Sequence, residues 1–226
     1  MIFGVDHVVL AATAAERGEV GARLEAAGAR LEDFTLDFPE DGVASDSWSL
    51  ASGAYLEFVV EVPGRRGPAL WFDAPTRVIG IGFSSDDFEA DVAWPGEEGR
   101  WRMDEEIAMA DGSRHRIVAA GPHEHASPFY VFVMDRPDRR LDFPPNEAAP
   151  RLVGVDLHGS EAVAYGTRAA GWLGLELVDG SFRAGDCEVR LLDGPNEGVR
   201  ATLRLAAAEP AEIPLAVGKI AIEGDA

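Results

Sequence analysis

The side chains able to do chemistry are few, and they are unevenly placed along the 226 residues. His7 lies in Phe3-Gly-Val-Asp-His-Val-Val-Leu-Ala11, a run rich in β-branched residues that reads as a buried strand. On a strand, His7 shares its face with Val5 and Val9, so it is either a hydrogen-bonded core histidine or a ligand contact. Glu57 shares a face with Tyr55 and Val59 in Tyr55-Leu-Glu-Phe-Val59. A carboxylate in that setting is costly unless a hydrogen bond, an opposite charge or a metal satisfies it, which makes Glu57 the candidate catalytic residue. Two further groups are weaker candidates. His123-Glu124-His125 puts two imidazoles on one side of an extended segment, and Arg114-His115-Arg116 is a basic cluster suited either to a substrate carboxylate or to surface ion pairs. Trp48 is expected to line the same cavity as Glu57, whereas Cys187, the sole cysteine, reads as a small packed hydrophobe.

These residues need elements to hold them, and the chain supplies a recurring order. After the first strand, Thr13 is a helix N-cap; Val20, Leu24 and Ala27 recur at helical spacing, and Gly28 ends the helix. Strands follow near Ala29–Leu36, Ser47–Ala51 and Tyr55–Val62, which completes a βαβββ unit. The order is repeated as a strand Val78–Ser84, a short helix near Asp86–Ala93, strands near Glu106–Ala110 and Arg114–Ala120 around an Asp111-Gly112 turn, and a strand Phe129–Met134. Beyond a Pro144-Pro145 linker comes a third pass: a strand Leu152–Leu157, a helix Ser160–Leu173, and strands Leu175–Val178, Cys187–Leu192 and Val199–Ala206. A tail strand, Val217–Ile222, ends it. Gly4-Val5-Asp6-His7 recurs as Gly154-Val155-Asp156-Leu157 in the same position, which supports internal repetition. The expected organisation is residues 1–142 as a pair of units, about 1–64 and 76–136, with a smaller unit over 150–226.

Bulk composition narrows the partners. With 40 acidic and 20 basic residues the net charge is −20, which disfavours nucleic acid and anionic membrane surfaces. The single cysteine, the absence of a long apolar run and the lack of a leader-like N-terminus point to a cytoplasmic protein. No Gly-x-Ser-x-Gly hydrolase motif or complete phosphate-binding glycine pattern is present.

Val5-Asp-His-Val-Val-Leu10, the helix closed by Gly28, Tyr55-Leu-Glu-Phe-Val59 and Pro128-Phe-Tyr-Val-Phe-Val133 together resemble the vicinal oxygen chelate superfamily, in its glyoxalase-like branch. The resemblance implies an α+β fold in which paired βαβββ units curl into half-open barrel-like sheets. It implies a divalent metal, Zn, Fe, Ni or Mn, held by His7 and Glu57, with His123 and His125 as candidates to complete the site, and a lyase, isomerase or dioxygenase acting on a small organic molecule. It also implies a homodimer as one expected assembly. The departures favour the alternative of a metal-free small-molecule binder with a degenerate site. Val78–Phe83 and Phe129–Met134, the corresponding strands of the second unit, carry neither histidine nor carboxylate, and His158 falls one place beyond the position matching His7.

Overall fold

The computed structural model describes residues 1–38, 42–51, 53–62, 64, 77–93, 99–108, 114–123, 129–135, 146–194 and 199–224. The Asp111-Gly112 turn and the Pro144-Pro145 linker lie outside them. Among the described residues, fourteen strands make up two sheets, and three helices accompany them.

The first sheet is eight-stranded. Its first half is β1 (Ile2–Ala12), α1 (Ala14–Ala26), β2 (Arg30–Phe38), β3 (Val43–Ser49) and β4 (Tyr55–Glu61); its second is β5 (Arg77–Ser85), α2 (Phe88–Asp91), β6 (Arg100–Ala108), β7 (Arg114–Pro122) and β8 (Tyr130–Asp135). The spatial order β2-β3-β4-β1-β5-β8-β7-β6 places β1 and β5 side by side and antiparallel at the centre, each with its own closing strand, β4 or β8, parallel beside it. Thr13 caps α1 as the sequence indicates: its hydroxyl accepts from the Glu16 amide at 3.2 Å, and Glu16 accepts from the Thr13 amide at 3.1 Å. Gly28 has φ 97°, and a Cβ there would stand 2.3 Å from the Ala148 carbonyl, so glycine is required both by the backbone and by the chain crossing over it.

β6 is where periodicity corrects the expected boundary. The strand starts at Arg100 instead of near Glu106, because Trp101 and Met103 face inward while Arg102 and Asp104 pair outward with Glu89 and Arg116. The second-unit helix is also shorter than expected, four residues at Phe88–Asp91.

The second sheet is six-stranded and contains β9 (Arg151–His158), β10 (Ser181–Ala184), β11 (Cys187–Leu192), β12 (Arg200–Ala207), β13 (Ala211–Pro214) and β14 (Lys219–Gly224), with α3 (Ser160–Trp172) after β9. Its order, β10-β11-β9-β12-β14-β13, reproduces β3-β4-β1-β5-β8-β7 of the first. The tail is therefore a further, helix-free half-unit, with β13 added to the strands expected from sequence. Leu175–Val178 does not form a strand; Val178 makes only an isolated bridge to Ser181.

One hydrophobic core joins the two sheets. It runs from Val8, Leu10, Leu24 and Trp48 through Phe83, Phe129 and Val131 to Val155, Leu157, Tyr165 and Leu203. Where α2 is too short to cover β5 and β8, α3 and β10 do so: Tyr165 meets Phe129 edge-on at 6.2 Å, and Phe182 approaches Phe83 at 6.4 Å. The last β7–β8 pair is Ala120 with Val133, and beyond it the Val131 amide donates to the Tyr165 hydroxyl at 3.0 Å. No helix among the described residues is long and apolar enough to cross a membrane.

Tyr165→Phe deletes the acceptor of that buried amide. The expected loss is about 1–3 kcal/mol of stability, the cost of leaving such a donor unpaired. It is read from the urea midpoint, and an unchanged midpoint would show that the amide finds another partner.

Candidate functional site

The inward face of the first sheet encloses a cavity of about 340 Å³. β1 contributes His7 and Val9, β4 contributes Tyr55, Glu57 and Val59, and the far wall is Trp101, Met103, Ile117, Tyr130, Phe132 and Met134. This alternation is the sheet's two-residue period made visible. Val8, Leu10, Leu56 and Phe58 point the other way into the main core, and Val9, Ala11, Ile79, Ala119 and Phe132 form a second apolar cluster around the cavity.

His7 is 3% exposed and lies between two carboxylates. Its Nδ1 is 2.7 Å from Asp6 Oδ1 and its Nε2 is 3.3 Å from Glu57 Oε2. Neighbouring residues on a regular strand face opposite ways, so the Asp6 contact requires an irregularity, and the β1–β5 register supplies one: Val5 pairs with Phe83 and His7 with Gly82, leaving Asp6 as the extra residue of a bulge. Ser84 donates to the other Asp6 oxygen at 3.1 Å, and Ser45 donates to Glu57 Oε1 at 2.6 Å. Tyr55 stacks on the imidazole at 4.5 Å, with Phe132 edge-on at 5.1 Å. Ser47 sits directly opposite Glu57 on the same face of the β3–β4 pair, buried, its hydroxyl without a hydrogen-bond partner among the described residues.

The electrostatics follow from this geometry. Burial works against charge on His7, but the hydrogen bonds and fields of Asp6 and Glu57 outweigh it and hold the imidazole pKa above its ordinary value. Burial likewise opposes ionisation of Glu57, and is outweighed by the bond to His7, with help from Ser45, so its pKa falls. Burial, with the field of Glu57 added, raises the Tyr130 pKa and keeps the phenol protonated. The site is an imidazole held between two carboxylates, facing a wall that carries aromatic rings.

Glycines shape that wall. A Cβ on Gly80 would come within 2.9 Å of the Tyr130 ring, and one on Gly82 within 2.9 Å of both the His7 and Phe132 rings. These glycines gave no chemical signal in the sequence, yet they are what lets three rings lie across β5.

The second unit answers the first position by position. His7 lies beside Tyr55 and Gly82 beside Phe132; Val9 lies beside Glu57 and Ser84 beside Met134. Gly82 therefore stands where His7 stands, and Met134 where Glu57 stands. A divalent ion of the Zn, Fe, Ni or Mn type needs at least three firm protein donors, and the described residues include no group of three that could hold one. His7 and Glu57 supply two donors of such a set, and a third would have to come from outside the described residues.

The remaining candidates are dispersed. Trp48 is 2% exposed and faces away from the cavity, its indole seated against Gly21 and Phe58 and donating to Glu25 at 3.2 Å. Its expected place on the cavity wall is corrected by strand parity: Ser47, not Trp48, shares the face of Glu57. Arg114 and Arg116 are taken by surface pairs with Glu106 and Asp104, while His115 is buried on the opposite face of β7, in line with Ile117 and Ala119 but outside the cavity lining. His123 is exposed at the end of β7, its amide bonded to the Gly99 carbonyl, and is not among the cavity residues. His125 lies outside the described residues. Cys187 is buried, and its thiol pKa is pushed up to about 12 by desolvation, which leaves it unreactive.

The His7–Glu57 pair predicts a specific pH dependence. The raised His7 value gives stabilisation that is complete below its unfolded value of 6.5 and is lost as pH rises through the folded one. The lowered Glu57 value gives stabilisation that is complete above 4.5 and is lost as pH falls through the folded one. The stability gap between wild type and His7→Gln is expected to be widest from about pH 4.5 to 6.5 and to narrow on both sides. Urea unfolding across pH measures it, and a flat difference would contradict the pairing.

No family model matches the sequence, and no curated protein is similar to it in sequence. Solved structures are similar in fold. A triple-substituted 4-hydroxymandelate synthase from Streptomyces coelicolor aligns with TM-score 0.61 at 10% identity, over 92% of this chain and 72% of that one. A xylose isomerase-like TIM barrel/4-hydroxyphenylpyruvate dioxygenase fusion protein aligns with TM-score 0.59 at 11% identity, over 92% of this chain and 37% of that one. Both are likenesses of fold, and with its repeated units, paired central strands and curled sheet enclosing a cavity the chain has the vicinal oxygen chelate, glyoxalase-like α+β fold.

Proposed function

We propose that the chain binds a small organic molecule in the cavity of its first sheet, without a resident metal, and that Glu57 is the polar anchor. The observation that carries this reading is the replacement of the second unit's donor positions by Gly82 and Met134, which turns half of a chelating site into apolar wall. What remains is a largely apolar hollow with a few convergent polar groups, the usual character of a small-molecule site. Ser45 and His7 fix the Glu57 carboxylate, so it meets a ligand donor already oriented. The same carboxylate is placed to accept a proton from a bound molecule, with His7 compensating its charge.

A second reading, a metal-dependent lyase, isomerase or dioxygenase, is favoured by Asp6 alone. A carboxylate on Nδ1 is how metal-binding histidines are commonly oriented. It needs a third donor from outside the described residues, such as His125.

Plasma mass spectrometry of the purified protein is expected to find no stoichiometric metal, in wild type or in a His7→Ala, Glu57→Ala variant. Near-stoichiometric Zn, Fe, Ni or Mn that is lost in the variant would reverse the order of the two readings. In a thermal-shift screen of small organic molecules, a ligand at 100 times its Kd contributes about 2.7 kcal/mol. Its shift should vanish in Val59→Trp, which places bulk at the half-buried rim of the cavity.

A further inference from the structure

We infer that the molecule taken into this cavity is an organic cation, an ammonium group carried on a ring or a short apolar frame. The inference rests on the cavity being a binding site and adds the charge of what it binds.

The far wall carries a run of three aromatic rings. Tyr130 stacks on Phe132 with centroids 5.4 Å apart, Trp101 follows at 6.0 Å from Phe132, and Phe38 and Tyr55 complete the lining. Aromatic faces carry negative charge density and attract a cation within about 6 Å of the ring centre, most strongly where water is excluded. The near wall carries the complementary charge. Glu57 opens directly on the cavity and Asp6 stands behind His7, so two carboxylates meet one imidazole. His7 and Ser45 favour the charged form of the Glu57 carboxylate, which puts negative charge at the cavity surface.

An anionic ligand has nothing comparable to meet. Among the described residues no lysine or arginine lines the cavity, and both ring nitrogens of His7 already face carboxylates. An ammonium has an acceptor instead, the Glu57 carboxylate that opens on the cavity. The net charge of −20 draws cations towards the protein at long range. A volume of about 340 Å³ suits a frame of one or two rings.

Benzylamine as its ammonium form, benzyl alcohol and benzoate share a single ring and differ in charge, so titration of the full chain with each separates charge from shape. Two-dimensional NMR detects millimolar binding and shows whether the cavity residues respond. Benzylammonium is expected to bind about tenfold more tightly than benzyl alcohol, as one desolvated cation–aromatic contact allows, with benzoate weakest. Glu57→Gln should narrow the gap between ammonium and alcohol. Trp101→Leu, at a half-exposed position, removes an aromatic face without touching any charge and should weaken the ammonium more than the alcohol. Equal binding of ammonium and alcohol, or preference for benzoate, would overturn the charge assignment while leaving the cavity as a binding site. No response of the cavity residues to any of the three would overturn both.

Discussion

The antiparallel seam between β1 and β5 is the contact on which the site depends. It brings the first strands of two units together at the sheet centre, and it is irregular where the chemistry lies. The extra residue in β1 turns Asp6 towards His7, and the glycines of β5 leave room for His7, Tyr130 and Phe132 to lie across that strand. A regular, fully side-chained seam would send Asp6 to the other face and push the rings apart. The buried charge would then lack the bonds that offset its desolvation. Bulge, glycines and ion pair are therefore one arrangement.

The two units that meet at this seam share a backbone plan but not a chemistry. One presents a histidine and a glutamate; the other presents a glycine and a thioether at the matching positions. The second sheet repeats the plan again, and its Asp156 is bonded to Arg190 and Arg204, so a carboxylate that matches Asp6 in sequence is neutralised within its own sheet. Repetition of architecture carries the fold, and the side chains decide separately in each copy what becomes of the site.

Much of this was legible in the residues. The βαβββ order, the Thr13 cap, the Gly28 stop and the inward direction of His7 and Glu57 follow from periods and capping chemistry that act over a few residues. The failures have a common physical origin. Trp48 was misplaced because parity on its strand is set by pairing with β4, where Trp48 meets Leu56 across the turn, and local pattern does not fix that register. Asp6 as the partner of His7 was hidden because a bulge leaves no mark in a single strand's sequence. The half-unit at the C-terminus was missed because it has no helix to announce it, and Gly80 and Gly82, which complete no phosphate-binding pattern, gave no sign that they accommodate rings.

The brevity of α2 has a consequence for how such a chain can change. A helix of four residues cannot shield β5 and β8, and the apolar surface of Phe83, Phe129 and Val131 is covered by Phe182 and Tyr165 of the second sheet's unit. An appended unit that only decorated a complete barrel could be discarded again by truncation. Here the first sheet relies on the second for that cover, and discarding the addition would strand a bare apolar face in water. The dependence thus runs like a ratchet: the later segment is irreplaceable to the earlier one, though none of its described side chains lines the cavity.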